Sequence, residues 1–163
     1  MKGYPLVPAQ RISTTLSKQL ALYVVINSPL QMASDFIENY NNHSAIEFIK
    51  AVPVSWDTTI VLNGEIENYL TIARKDRLSN DWYIGSITNQ NSRSFQFKLS
   101  FLGEGSYQAS IYSDSKNTDL EKKPTLYDFT KKVFTKRDTL KVNLAGGGGA
   151  AIKLKYIGQS MPY

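Results

Sequence analysis

Two periodicities divide the chain. Up to about Pro53 apolar residues recur at three- and four-residue spacing, and beyond it they alternate. In the first part, Leu16, Gln19, Leu20, Tyr23 and Val24 form one helical stripe, and Ser13, Thr14 or Thr15 offers an N-cap. Ser28-Pro29 stops that helix, because proline lacks an N–H and disfavours helical geometry in the residue before it. The apolar segment Leu30 to Met32 reads as a short strand and Asp35 as the cap of a second helix, Phe36 to Lys50. That helix offers Phe36, Tyr40, Ile46 and Ile49 for burial.

After Pro53 the pattern predicts eight strands. They are Thr59 to Leu62, Tyr69 to Arg74, Trp82 to Thr88, Ser94 to Leu102, Tyr107 to Tyr112, Leu126 to Phe134, Thr139 to Leu144 and Ala151 to Tyr156. Turn formers separate them: Asn63-Gly64, Ser79-Asn80-Asp81, Asn89 to Ser92, Gly103-Glu104-Gly105 and Arg137-Asp138. Phe95, Phe97, Leu99 and Phe101 alternate with Gln96, Lys98 and Ser100, which gives one wet and one buried face. The predicted fold is mainly β: an eight-stranded antiparallel β-sandwich preceded by a helix–short strand–helix segment.

That leading segment has no parallel strand to pair with, and a lone strand leaves its backbone groups unsatisfied. It reads as the remnant of a (β/α)8 barrel whose other units lie elsewhere. The boundaries are then residues 1–52 for the terminal barrel elements and 53–163 for the sandwich. Helices with apolar faces made for an absent barrel have three courses: they fold back on the sandwich, fray, or self-associate.

Composition narrows the chemistry. The chain has 163 residues, with 42% apolar and 12% aromatic content, enough for a packed core. A net charge of +5 is spread along alternating segments without a basic block, which argues against nucleic acid. No apolar run approaches a membrane span, the longest being Leu20 to Ile26. With no cysteine, disulfides, thiolate metal sites and Cys nucleophiles are excluded. Met1 to Arg11 lacks the basic-then-apolar pattern of a signal peptide, so an export address is expected on other sequence.

Gln19 to Val25, Ser28 to Met32, Asp35 and Tyr40 resemble the end of the catalytic barrel of glycoside hydrolase family 97. So do Val52-Pro53-Val54-Ser55-Trp56-Asp57-Thr58-Thr59, Leu62 to Ile66, Ala73-Arg74, Trp82 to Gly85, Thr88-Asn89, Phe101 to Tyr107, Asp114 and Gly146 to Gly149. Glu67 stands where the resemblance leads one to expect glycine. The resemblance implies an α-glucosidase or α-galactosidase with an N-terminal β-super-sandwich, a (β/α)8 barrel and a C-terminal β-sandwich. It implies calcium for the parent enzyme, α-linked oligosaccharide as its substrate, and a periplasmic or extracellular location. It also implies that the catalytic carboxylates and calcium ligands lie upstream of this segment. The missing barrel and N-terminal domains are the expected partners, and the chain alone is expected to be inactive, with no cofactor of its own. The alternative is a non-catalytic carbohydrate-binding or interaction module.

Glycoside hydrolysis requires two carboxyl groups flanking the scissile bond, roughly 5 to 9.5 Å apart. Asp35, after the short strand, is the best placed for a substrate-proximal role, with a helix N-cap as its simpler reading. Trp56 either packs an interdomain seam or stacks on sugar, and Asp57 is expected to fix the turn beside it. Trp82, Tyr83 and Tyr107 sit inside alternating strands and read as core. Arg74 is expected to pair with an acid. Gly146 to Gly149 lead into a strand rather than a helix, so they read as a turn with positive φ and not a phosphate loop. His43, the sole histidine, has no companion ligands at metal spacing.

Overall fold

The computed structural model describes residues 14–31 and 44–158. Asp35, His43, Phe36 and Tyr40 lie outside the described residues. Helix α1 spans Leu16–Val25 and opens on Thr15, whose hydroxyl accepts the Lys18 N–H at 3.2 Å. Helix α2 spans Ser44–Ala51. Of the predicted short strand Leu30 to Met32, Met32 lies outside the described residues; Leu30 lies in a bend and is 74% exposed, and Gln31 is not paired in a strand. The Ser28 hydroxyl bonds both the N–H and the C=O of Leu30, a local turn that competes with strand pairing.

Eight strands follow: β1 Trp56–Glu65, β2 Tyr69–Asp76, β3 Trp82–Thr88, β4 Arg93–Lys98, β5 Ser106–Asp114, β6 Tyr127–Phe134, β7 Thr139–Leu144 and β8 Gly149–Gly158. All pairings are antiparallel. Six strands form one sheet in the order β1-β2-β3-β8-β5-β6, and β4 pairs with β7 in a second. The sandwich is therefore lopsided.

Two predicted details change. Asn63-Gly64 is not the reversal: both sit in β1, beside a bulge between Val61 and Asn63, and the chain turns at Ile66–Asn68. Glu67 occupies that turn with φ 66°, a left-handed conformation that glycine adopts without strain. The strand predicted to reach Leu102 ends at Lys98, where Leu99 donates to Asp138 O and then accepts from Leu102. Leu99 and Leu102 stay buried through that turn, which is why the apolar alternation outlasts the strand.

The main core fills the space between the sheets. Ile84, Ile111, Ile152 and Leu154 of the larger sheet meet Phe97, Leu140, Val142 and Leu144 of the smaller. Trp82 and Tyr107 are buried in the same core. The other face of the large sheet carries a second cluster, in which Tyr83, Tyr112, Ala151 and Trp56 receive Leu20, Ala21, Val24, Ala45 and Phe48 of the helices. Of the three courses open to the helices, this chain takes the first: the described helical residues fold onto the sandwich.

Candidate functional site

The outer face of the large sheet is shaped and charged to hold α1. The helix crosses β8 and β3 at two glycines. A Cβ at Gly85 would lie 2.7 Å from the Ala21 carbonyl oxygen, and one at Gly149 would lie 2.7 Å from Lys18 Cα. Any side chain at either position would push the helix away, so contact between backbones depends on both glycines. Ala151, two residues after Gly149 and opposite Gly85, continues the small-residue floor between them.

Helix α1 has no acid in its first turn and no base in its last. The sheet supplies both. At the N-terminal end, Asp114 is the only buried carboxylate among the described residues. Its Oδ2 accepts the N–H groups of Ala145 and Gly149, each at 2.9 Å, and the Thr15 and Ser17 hydroxyls also favour its charged form. Burial outweighs these partners and raises its pKa above the usual carboxylate value. The carboxylate lies against the positive end of the helix dipole. It also offsets the unfavourable placement of Lys18 there, whose ammonium donates to Thr88 O at 2.8 Å. Burial nevertheless lowers the Lys18 pKa.

The glycine run completes that end. Gly147, at φ 66°, accepts the Thr15 N–H through its carbonyl at 3.4 Å, while Leu16 N–H donates to Pro124 O at 2.9 Å. A Cβ at Gly148 would fall 1.8 Å from Asp114 Oδ2. The predicted positive-φ turn is present, and it receives the start of a helix.

At the other end Arg74, 6% exposed, donates from Nη2 to Val25 O at 3.2 Å. It thus caps the last turn of α1 from β2, where an acidic partner had been expected. Its guanidinium stacks 5.6 Å from the Trp56 ring centre, and Trp56 meets Tyr83 edge-on at 5.6 Å. Trp56 is 9% exposed. Asp57 does not fix a turn: it is the extra residue of a bulge in β1, with its carboxylate 3.1 Å from the Thr58 hydroxyl and 3.5 Å from Lys75 Nζ.

Helix α2 is gripped by phenols. Tyr83 donates to Ala51 O at 2.7 Å, Tyr112 to Ser44 O at 3.2 Å, and the Ser44 and Tyr127 hydroxyls lie 2.6 Å apart. Phe48 packs edge-on against Tyr83 and Tyr112. Burial raises the Tyr83 pKa strongly, so the phenol remains a donor. Arg74 and Tyr83 are register partners, so the two helix C-termini sit side by side. Both N-termini lie near the end of β5, at Asp114 and Tyr112. The helices therefore run parallel.

Sequence reasoning singled out Trp56 and Asp57 but missed Asp114, Gly85 and Gly149 as the docking machinery. The available signal was negative: a helix without its own terminal charges. Among the described residues, no three Asp, Glu or His side chains converge to hold a cation. No helix among the described residues is long and apolar enough to cross a membrane.

Comparison with known proteins places this arrangement. Residues 55–155 match the family profile described as "Glycosyl-hydrolase 97 C-terminal, oligomerisation". The chain belongs to glycoside hydrolase family 97. A retaining alpha-galactosidase of Bacteroides thetaiotaomicron is 37% identical over 153 residues, which are 93% of this chain and 22% of the relative. A family 97 enzyme from Pseudoalteromonas sp. strain K8, solved with panose, is 40% identical. It superposes with a TM-score of 0.87 over 90% of this chain and 23% of that one. A beta-arabinopyranosidase at 21% identity and TM-score 0.68 shares the fold. This family 97 chain thus spans under a quarter of the length of these family relatives, and both helices fall within the similarity.

Proposed function

We propose that this family 97 chain is the C-terminal, structural part of an α-glycoside hydrolase, an α-galactosidase or α-glucosidase acting on α-linked oligosaccharides in glycan breakdown. In this reading residues 1–52 are the last elements of a (β/α)8 barrel and the sandwich is their buttress. The catalytic carboxylates and the calcium site belong to the part of the protein outside this chain. The parent enzyme is periplasmic or extracellular, which rests on the resemblance alone.

The observation that carries the reading is the pair of parallel helices clamped on one sheet face. Successive helices of a (β/α)8 barrel run parallel because a strand returns the chain between them. Charge and shape on the sheet are matched to α1 at both ends, which is what a fixed contact between barrel and buttress requires. Asp114, the one buried carboxylate among the described residues, ties backbone N–H groups at this contact. The second term in the family description, oligomerisation, is carried here as a further role of the β-domain.

The test is hydrolysis of aryl α-galactosides and aryl α-glucosides by the purified chain, with released phenol as the readout. No turnover above buffer is expected. Turnover that follows the folded protein through purification overturns the assignment of the chemistry to the rest of the enzyme.

A further inference from the structure

The two edges of the large sheet differ. Strand β1 carries two register shifts, between Trp56 and Thr58 and between Val61 and Asn63, and bulges of this kind spoil an edge for further pairing. Strand β6, at the opposite edge, pairs with β5 in an unbroken register from Tyr127 to Phe134. Phe129 and Val133 project from it at 41% and 59% exposure. An unbulged edge with exposed apolar side chains is a template for another strand.

We propose that β6 pairs with β6 of a second copy, antiparallel about a two-fold axis at Thr130. The inference rests on the oligomerisation role carried by this region of the family and names the surface that performs it. In an antiparallel pair, residues directly opposite must both turn their N–H and C=O toward the partner or both turn them away. A strand paired with its own copy therefore shifts in steps of two, and its axis falls on a residue. Centred on Thr130, each Asp128 opposes the other copy's Lys132, Phe129 opposes Lys131, Tyr127 opposes Val133, and threonine faces threonine. These are two ion pairs, two cation–aromatic pairs and apolar pairs at the ends. Lys131 already lies 5.7 Å from the Phe129 ring within one copy. Centred on Lys131, lysine would oppose lysine. Centred on Phe129, Asp128 would oppose Thr130 and lose its lysine. Edge lysines ordinarily discourage pairing; here they select the one register in which each meets a complementary residue.

Light scattering or sedimentation equilibrium on the full chain at tens of micromolar tests this. A dimer is expected for the unaltered chain. Asp128→Lys is expected to weaken it about tenfold at low salt, since opposite charges become like charges at two symmetric positions. The double exchange Asp128→Lys with Lys132→Asp restores the pairs with reversed signs and is expected to recover the dimer. Circular dichroism and thermal midpoints establish that each variant is folded. A dimer unaffected by Asp128→Lys and by Lys132→Asp overturns the β6 surface and leaves oligomerisation to another face. A monomer at all concentrations to about 100 μM overturns both.

Discussion

Replacing Gly85 with alanine tests whether the sheet face is built for α1. The added Cβ would sit 2.7 Å from the Ala21 carbonyl oxygen and 3.0 Å from both Val24 Cβ and Val25 Cγ2. The nearest obstacle is backbone, so no rotamer change relieves it; the helix must lift or β3 must sink. Overpacking of this kind costs roughly 1–3 kcal/mol. Alanine also restricts the unfolded chain, which returns about 0.4–1 kcal/mol. The net loss is therefore about 1–2 kcal/mol, and larger for Gly85→Val. Urea unfolding followed by tryptophan fluorescence gives the stability change, and amide exchange shows where it falls. Protection should drop first in Leu20 to Val25, while β7, on the smaller sheet, keeps its protection until global unfolding. An unchanged urea midpoint with unaltered exchange in α1 would refute close docking at Gly85.

Asp114 predicts a pH signature. Its folded pKa lies above the unfolded value, so the folded state holds the proton more tightly. Its contribution to stability falls as pH rises from about 4 through the folded pKa and is flat above that. Relative to Asp114→Asn, the unaltered chain should gain stability on acidification across that window, read from thermal midpoints; a difference independent of pH contradicts the assignment. Taking that difference removes the opposite contributions of exposed Glu104 and Asp138, whose lowered pKa values make their stabilisation fade in acid. Glu67→Gly should stabilise the chain by about 0.5–1 kcal/mol, because a left-handed residue other than glycine costs roughly 1–2 kcal/mol and glycine's extra chain entropy offsets part of that gain. A loss of stability would mean that the Glu67 side chain has a partner worth more than the strain.

Strand ends were legible at Trp82–Thr88 and Thr139–Leu144: the second alternates buried and exposed residues, while the first is a short apolar run covered on both faces. Alternation misled at Leu99, where the chain turns but the side chain remains in the core. Turn chemistry misled at Asn63-Gly64, where a bulge absorbs the residues that favour reversal. The resemblance marked Glu67 as out of place, and the backbone gives the reason. The docking face was the least legible part. Asp114 and Arg74 serve a helix distant in sequence, and nothing in their local pattern distinguishes them from polar strand residues. Gly85 reads locally as a weak point in a strand, and its use appears only when Ala21 is brought onto it.

Native-state hydrogen exchange on the whole chain tests most directly whether the β-domain holds the two helices that precede it. A helix of ten residues is marginal in water on its own, so protection in α1 must come from docking. The account predicts that the α1 amides from Leu20 to Val25 exchange with the same protection as β3 and β8. Exchange of those amides at rates near those of an unfolded chain, while the sheet stays protected, would contradict it.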